Sequence, residues 1–183
     1  MADRLEIVAP GMPVAQGRHR DRVVTPLGKP AFVQRYTPKE TTRWRQAVLF
    51  AARTTSGYPA DPWDGPVRIT LDAYFERPKS MMSKRYPDGP IRRNSKPDAD
   101  NLVKSVLDAL TPPKVKRKGN AVIDEINRQA ARRGYLWIDD GQVHLGRVDR
   151  WYAAKGCGPG VIIVAERIFE MAPDLGHEVL PCL

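Results

Sequence analysis

From Val67 to Phe75 apolar and polar residues alternate (VRITLDAYF), the two-residue period of a strand with one buried face. Leu5 to Ala9 is a shorter apolar run that stops at Pro10-Gly11, where a missing N–H and a tolerance of positive φ end a strand. Ala31 to Tyr36 reads as a further short strand, and Val161-Ile162-Ile163-Val164 opens another that extends to Phe169. Val143, Leu145 and Val148 predict a strand between Gln142 and Tyr152, and the glycine-rich turn from Lys155 to Gly160 then joins it to Val161–Phe169 as a hairpin.

A period of three to four replaces the period of two in two places. Trp44, Ala47, Val48 and Ala51 mark a helix from Thr37 to Arg53, with Thr37 placed to cap it and Pro38 at its first position, where a missing N–H costs nothing. Leu102, Val103, Val106, Leu107 and Leu110 form the stripe of a second helix, capped by Asp100 and ended by Thr111-Pro112-Pro113. Val122-Ile123-Ile126 permits a short helix inside a basic insertion, residues 112–134. No internal repeat is visible, and the tail 171–183 is uninformative. Strands and helices in 183 residues predict one domain of the α+β class with a core over residues 5–168, and 17 prolines and 14 glycines place much of the chain in loops.

Charge adds a partner to this picture. Lys and Arg outnumber Asp and Glu by 30 to 21, giving a formal charge of +9 and a pI near 9.8, and a summed field of that sign draws in a polyanion. Nucleic acid is the expected partner, although a soluble protein that is merely basic has the same arithmetic. The charge is concentrated in a surface loop from Pro13 to Pro30 with Arg18, Arg20 and Arg22, in Arg77–Pro97, which reads as a mobile loop facing DNA, and in Lys114–Arg133. Cys157 and Cys182 have no zinc-ligand spacing, which fits a reduced cytosolic setting. Residues 1–8 lack the apolar run of a signal peptide and no stretch approaches the length of a membrane span, so a soluble, cytoplasmic protein is expected.

Two acidic islands interrupt the positive chain: Lys96-Pro97-Asp98-Ala99-Asp100-Asn101 and Ile138-Asp139-Asp140-Gly141-Gln142. Hard oxygen ligands held beside a phosphate are what a Mg²⁺-dependent nuclease needs. If Asp98 to Asp100 is extended, both carboxylates lie on one face, and Lys104 follows one helical turn later, within reach of a phosphate or leaving oxygen. Each residue also has a plainer reading: Asp100 as a helix cap, Asp98 as a loop residue, Asp139-Asp140-Gly141 as a turn. Those readings leave unexplained why two acidic pairs and a helical lysine share so basic a chain.

The order Lys96-Pro97-Asp98-Ala99-Asp100-Asn101-Leu102-Val103-Lys104, then Leu107-Asp108-Ala109-Leu110, then Asp139-Asp140-Gly141-Gln142-Val143 resembles the RusA family of Holliday junction resolvases, in its pattern D-x-D-N-x-x-K, D-A-L, D-D-x-Q-V. The amino-terminal Pro10-Gly11-Met12-Pro13 turn with Arg18 and Arg20 belongs to the resemblance, which spans most of residues 5–168. It implies a small mixed sheet with helices packed on it, a homodimer, and paired nicking of a four-way DNA junction. It also implies metal-binding carboxylates at Asp98, Asp100 and Asp140, a weaker candidate at Asp139, and a catalytic lysine at Lys104. Asp108, one turn beyond Lys104, is expected to hold that lysine by an ion pair. The long basic segments depart from the compact family pattern.

The expected enzyme is thus a Mg²⁺-dependent endodeoxyribonuclease of recombination and repair, with Mn²⁺ as the alternative ion; many members of the family it resembles are carried by phages and prophages, and the sequence does not show the source. Arg18, Arg20, Lys84, Arg85, Arg92, Arg93, Lys96, Lys116, Arg117 and Lys118 are its candidate DNA contacts. A non-catalytic protein that binds branched DNA, and a structure-selective nuclease acting on flaps, are the alternatives.

Overall fold

The computed structural model describes residues 3–17, 20–115, 119 and 121–169. Among the described residues seven strands and three α-helices follow one another, besides short 3-10 turns at Lys79–Met81 and Asp140–Gln142: β1 Arg4–Pro10, β2 Arg20–Val24, β3 Phe32–Tyr36, α1 Lys39–Thr54, β4 Val67–Phe75, β5 Ile91–Arg92, α2 Ala99–Leu110, α3 Ala121–Arg132, β6 Val143–Tyr152 and β7 Gly160–Arg167. Five of the strands form one mixed sheet in the order β1-β7-β4-β6-β5, and β2 and β3 pair as a separate ribbon. This is the α+β class, with a mixed sheet and helices packed on it in a single domain.

The alternation read in β4 is realised in full: Val67, Ile69, Leu71, Ala73 and Phe75 are buried. Leu5, Ile7 and Ala9 of β1 and Val161, Ile163 and Ala165 of β7 join the same face through antiparallel register, with Leu71 opposite Ile163 and Ile7 opposite Ile163 on the other side. Against this face α1 lays Trp44, Val48 and Ala52, and α2 lays Leu102, Val103, Val106, Ala109 and Leu110. Thr41 and Ala52 replace the expected Ala47 on the buried side of α1.

Several expectations change. The expected hairpin between Gln142–Tyr152 and Val161–Phe169 does not form, because β4 lies between the two strands, parallel to β6 and antiparallel to β7. The central strand buries its inner face on both flanks, and that gain outweighs a local pairing of sequence neighbours. The Pro13–Pro30 loop contains β2, which pairs with β3 from Val24 opposite Phe32 to Arg20 opposite Tyr36. Pro38, not Thr37, holds the cap position of α1, with no side-chain cap bond.

Arg77–Pro97 is anchored instead of loose. Buried Arg77 donates to the carbonyls of Ala153 (2.9 Å), Pro87 (2.8 Å) and Gly89, and Lys155 Nζ donates to Ser83 O, Tyr86 O and Asp88 Oδ1 at 2.9–3.0 Å. The hydrogen bond and charge of Lys155 hold the exposed Asp88 carboxyl below its ordinary range.

The end of α1 is tied to the turn after α3 through one carbonyl: Gly134 O accepts from Arg53 Nε (2.7 Å) and from the Tyr58 hydroxyl (3.1 Å). Burial pushes the Tyr58 hydroxyl up to about 12 from an ordinary 10.0. The folded state thus resists ionisation that the unfolded chain undergoes, so this contribution is whole below pH 10 and disappears as pH rises toward 12. Tyr58→Phe should lose less stability than wild type over that interval in urea titrations at each pH; parallel losses would remove Tyr58 from the alkaline transition. Leu110→Ala, at the fully buried last residue of α2, should lower unfolding free energy by about 2–5 kcal/mol in the same assay.

Candidate active site

Helix α2 is aimed from its first turn. Arg150, on β6, donates through Nη1 to the carbonyls of Pro97 (2.8 Å) and Ser95 (3.1 Å). Arg93 packs over the rings of Phe75 (4.1 Å) and Tyr152 (5.2 Å), donates to the Lys96 carbonyl and Ser95 Oγ, and gives its backbone N–H to Arg150 O at 2.8 Å. The Lys96–Pro97 bond in this clamp is cis. The clamp ends at Asp98.

Asp98 is extended (φ −69°, ψ 147°) and occupies the cap position of α2, yet its carboxylate makes no capping bond. The helix begins at Ala99, so Asp100 sits in the first turn and is not the cap, and the two carboxylates are related by a helix start instead of a strand period. Both are exposed. Lys104 lies one turn on from Asp100 along the same helix face, also exposed. Among the described residues, the side chains of Asp98, Asp100 and Lys104 have no hydrogen bond or ion pair.

Asp108 does not hold Lys104. It pairs with Arg45 of α1, whose Nη2 also donates to the Gln16 side chain. Half-buried Arg45 needs a compensating charge, whereas exposed Lys104 is already solvated, and the carboxylate goes to the group that costs more to leave alone. Gln16, Arg45, Lys104, Asp108, Lys114, Tyr135 and Asp140 share one open cleft of ≈ 430 Å³. The structure thus brings Lys104 and Asp140 to the same cleft.

The Asp139-Asp140 turn separates its two carboxylates by role. Asp139 Oδ1 accepts from Gly141 N (2.8 Å), and the Gln142 side chain accepts from Asp139 N (3.0 Å) and Ile138 N (3.1 Å), a reciprocal capping box. The amide of Gln142 also donates to Trp63 O (3.0 Å) and Gly65 O (2.6 Å), fastening the turn to the lead-in of β4. Beneath it Trp137 is fully buried and donates to Thr111 Oγ1 at 2.7 Å. Asp139 is engaged in the turn and Asp140 is left exposed at the cleft. Among the described residues, no group of three or more His, Cys, Asp or Glu side chains is gathered to hold a metal ion, so Asp98, Asp100 and Asp140 do not form a preassembled trio.

The candidate DNA contacts divide. Arg20, Lys84, Arg85 and Lys96 are exposed, with side chains uncommitted among the described residues. Arg92 pairs with Asp149 and stacks on Trp151 at 5.4 Å, and Arg93 belongs to the clamp before Asp98. Arg18, Lys116, Arg117 and Lys118 lie outside the described residues, as does the tail. Gln16, Arg45, Gln142 and Arg150 are the positioning residues that the sequence reading missed. Gln142 alone left a signal, its fixed place in the D-D-x-Q pattern; the arginines are lost among 30 cations.

Comparison with known proteins gives two findings. A protein-family model described as "Endodeoxyribonuclease RusA" matches residues 10–132, a stretch that contains Asp98, Asp100, Lys104 and Asp108 and stops before Asp139. An uncharacterized protein, YqaN, of Bacillus subtilis (strain 168) is 33% identical over 113 residues, covering 59% of this chain and 75% of the relative. No described helix is long and apolar enough to cross a membrane.

Arg150→Met removes two charged hydrogen bonds and should cost about 1.5–3 kcal/mol of stability. It should also speed hydrogen exchange at the Leu102 amide, which bonds Asp98 O at 3.2 Å. Wild-type exchange there would mean that Arg150 does not hold the start of α2.

Proposed function

The chain belongs to the RusA endodeoxyribonuclease family, and from that premise we propose that it is a Mg²⁺-dependent endonuclease that resolves four-way DNA junctions in recombination and repair. The observation that carries this reading is the first turn of α2, where Asp98 and Asp100 stand exposed and unpartnered among the described residues of a chain with a formal charge of +9. A carboxylate kept free beside so many cations suits a divalent ion and a phosphate better than a structural task.

The donor set fits Mg²⁺. All three candidates are hard oxygen ligands, and Mg²⁺ commonly takes one or two carboxylates and completes its octahedron with water and phosphate oxygens, so no preassembled trio is required. Asp98 and Asp100 would hold the ion, with Asp140 as a further ligand; Mn²⁺ shares this preference for oxygen. A bound ion of this kind lowers the pKa of water that attacks phosphorus and offsets charge on the phosphate.

The remaining work falls to the chain itself. Lys104 donates to a phosphate or leaving oxygen as negative charge builds there, a contact that strengthens toward the transition state. Arg150 and Arg93 keep Asp98 aimed by holding the carbonyls before it. Symmetric resolution needs two nicks and one chain carries one set of carboxylates, so the working form is a homodimer with one site per protomer. Its substrate places it with intracellular DNA.

The test is a labelled four-way junction with Mg²⁺ and with EDTA. Asp98→Asn and Asp100→Asn should each reduce cleavage by at least about 100-fold while retaining junction binding, and EDTA should abolish wild-type cleavage. Binding without any Mg²⁺-dependent product would replace this reading with a non-catalytic branched-DNA binder. Equal cleavage of flaps and junctions would replace it with a broader structure-selective nuclease.

A further inference from the structure

A two-stranded ribbon is marginally stable in water and usually covers one face with other structure. The β2–β3 ribbon covers neither: every residue of both strands is exposed except half-buried Val24. Register separates its faces, because directly opposed residues share a side. One face carries Arg20 with Tyr36, Arg22 with Gln34, and Val24 with Phe32; the other carries Asp21 with Arg35 and Val23 with Val33.

The two faces differ in chemistry. On the second, Asp21 neutralises Arg35 at 3.2 Å. On the first there is no carboxylate; Arg22 lies 5.7 Å from the centre of the Tyr36 ring and donates through Nε to Gln34 Oε1 at 2.9 Å. Cations beside open aromatic planes are what unstacked nucleic acid binds, with the charges on phosphates and the rings on bases.

Both ends of the ribbon also lie close in sequence to residues of the candidate site. Gln16, four residues before Arg20, gives its N–H to Asn101 O in the first turn of α2 at 2.8 Å and accepts from Arg45 in the cleft with Lys104 and Asp140. At its other end Tyr36 leads into α1 within three residues. We propose that the Arg20–Tyr36 arm reads the branch: Arg20, whose donors are uncommitted among the described residues, grips a phosphate beside the crossover, and Phe32 and Tyr36 stack on bases that the branch leaves unstacked. This rests on the nuclease reading above and adds the part of the chain that prefers branched over linear DNA.

The experiment compares wild type, Phe32→Ala/Tyr36→Ala and the opposite-face control Val23→Thr/Val33→Thr. Each is titrated, without Mg²⁺, against a labelled four-way junction and a linear duplex of the same sequence, with sedimentation velocity alongside. The ratio of junction to duplex affinity should fall about tenfold or more in the aromatic variant and stay at the wild-type value in the control, with all three sedimenting alike. Phe32→Leu/Tyr36→Leu keeps bulk without the aromatic planes and decides the matter if the alanine protein does not fold. An unchanged ratio overturns the inference while leaving the nuclease reading intact, as do junction and duplex affinities that fall together. An aromatic variant that sediments as a smaller species makes the arm a contact with a second copy and overturns it too. A wild-type protein with no junction preference overturns the reading beneath it.

Discussion

β4 has an antiparallel neighbour on one side and a parallel one on the other. A parallel partner cannot be reached by a tight turn, so the chain must cross from the end of Phe75 back to Val143, and that crossing carries β5, α2, α3 and every candidate catalytic side chain. The pairing of β4 with β6 therefore aims the site at both ends. Arg150 reaches from β6 to the carbonyls before Asp98, and Gln142, just ahead of β6, fastens the Asp139-Asp140 turn to the lead-in of β4. A bulge completes the arrangement. Leu145 opposes Ile69, but Arg147 opposes Thr70, and the extra residue is Gly146, where an added Cβ would stand 3.2 Å from Ile69 O. The inserted residue changes the parity of the strand. Arg150 then shares the helix-bearing face with Ala73, while Trp151 turns to the opposite face and donates to Asp72 at 3.2 Å.

The positive charge serves two ends that composition cannot separate. Arg77, Arg93, Arg150 and Lys155 donate to backbone carbonyls and fix loops; Arg92 and Arg147 close a network with Asp72 and Asp149 on the outer sheet face. All of them still add to the long-range field, which sums over every charge. Phosphate contact and counterion release belong to cations whose donors are uncommitted, such as Arg20, Lys84, Arg85 and Lys96. The same division holds for acids: Asp72, Asp88, Asp108 and Asp149 are paired, while Asp98, Asp100 and Asp140 are left open among the described residues.

The sequence is legible where a covered face imposes a period. β4, β1, α1 and α2 each bury one side, and their spacing shows it. β2 buries almost nothing, so Arg20–Val24 carries no such imprint and reads as loop. Strand partners are not written locally either: the turn at Lys155–Gly160 promised a hairpin, and only the inner-face demands of β4 place that strand between β6 and β7. The carboxylates and Lys104 stood out as motif, but what holds them did not. A spacing of four suggested that Asp108 served Lys104, yet such exposed helical pairs are worth about 0.3–0.5 kcal/mol, too little to compete with a half-buried arginine from another helix.

That arginine gathers three segments distant in sequence. One nitrogen of Arg45 bonds Gln16 ahead of the ribbon and Asp108 on α2, while its own helix begins just after the ribbon ends. Its Nε is buried without a partner among the described residues, a cost the site carries for this placement. Asp108 is one turn from Lys104 and Gln16 is bonded to Asn101, so the segments before and after the ribbon are both bonded to the helix that presents the lysine. Because Gln16, which precedes the ribbon, and Arg45 of α1, which follows it, are both bonded to α2, a substrate held by the ribbon would be registered against Lys104 through the segments on either side of the ribbon.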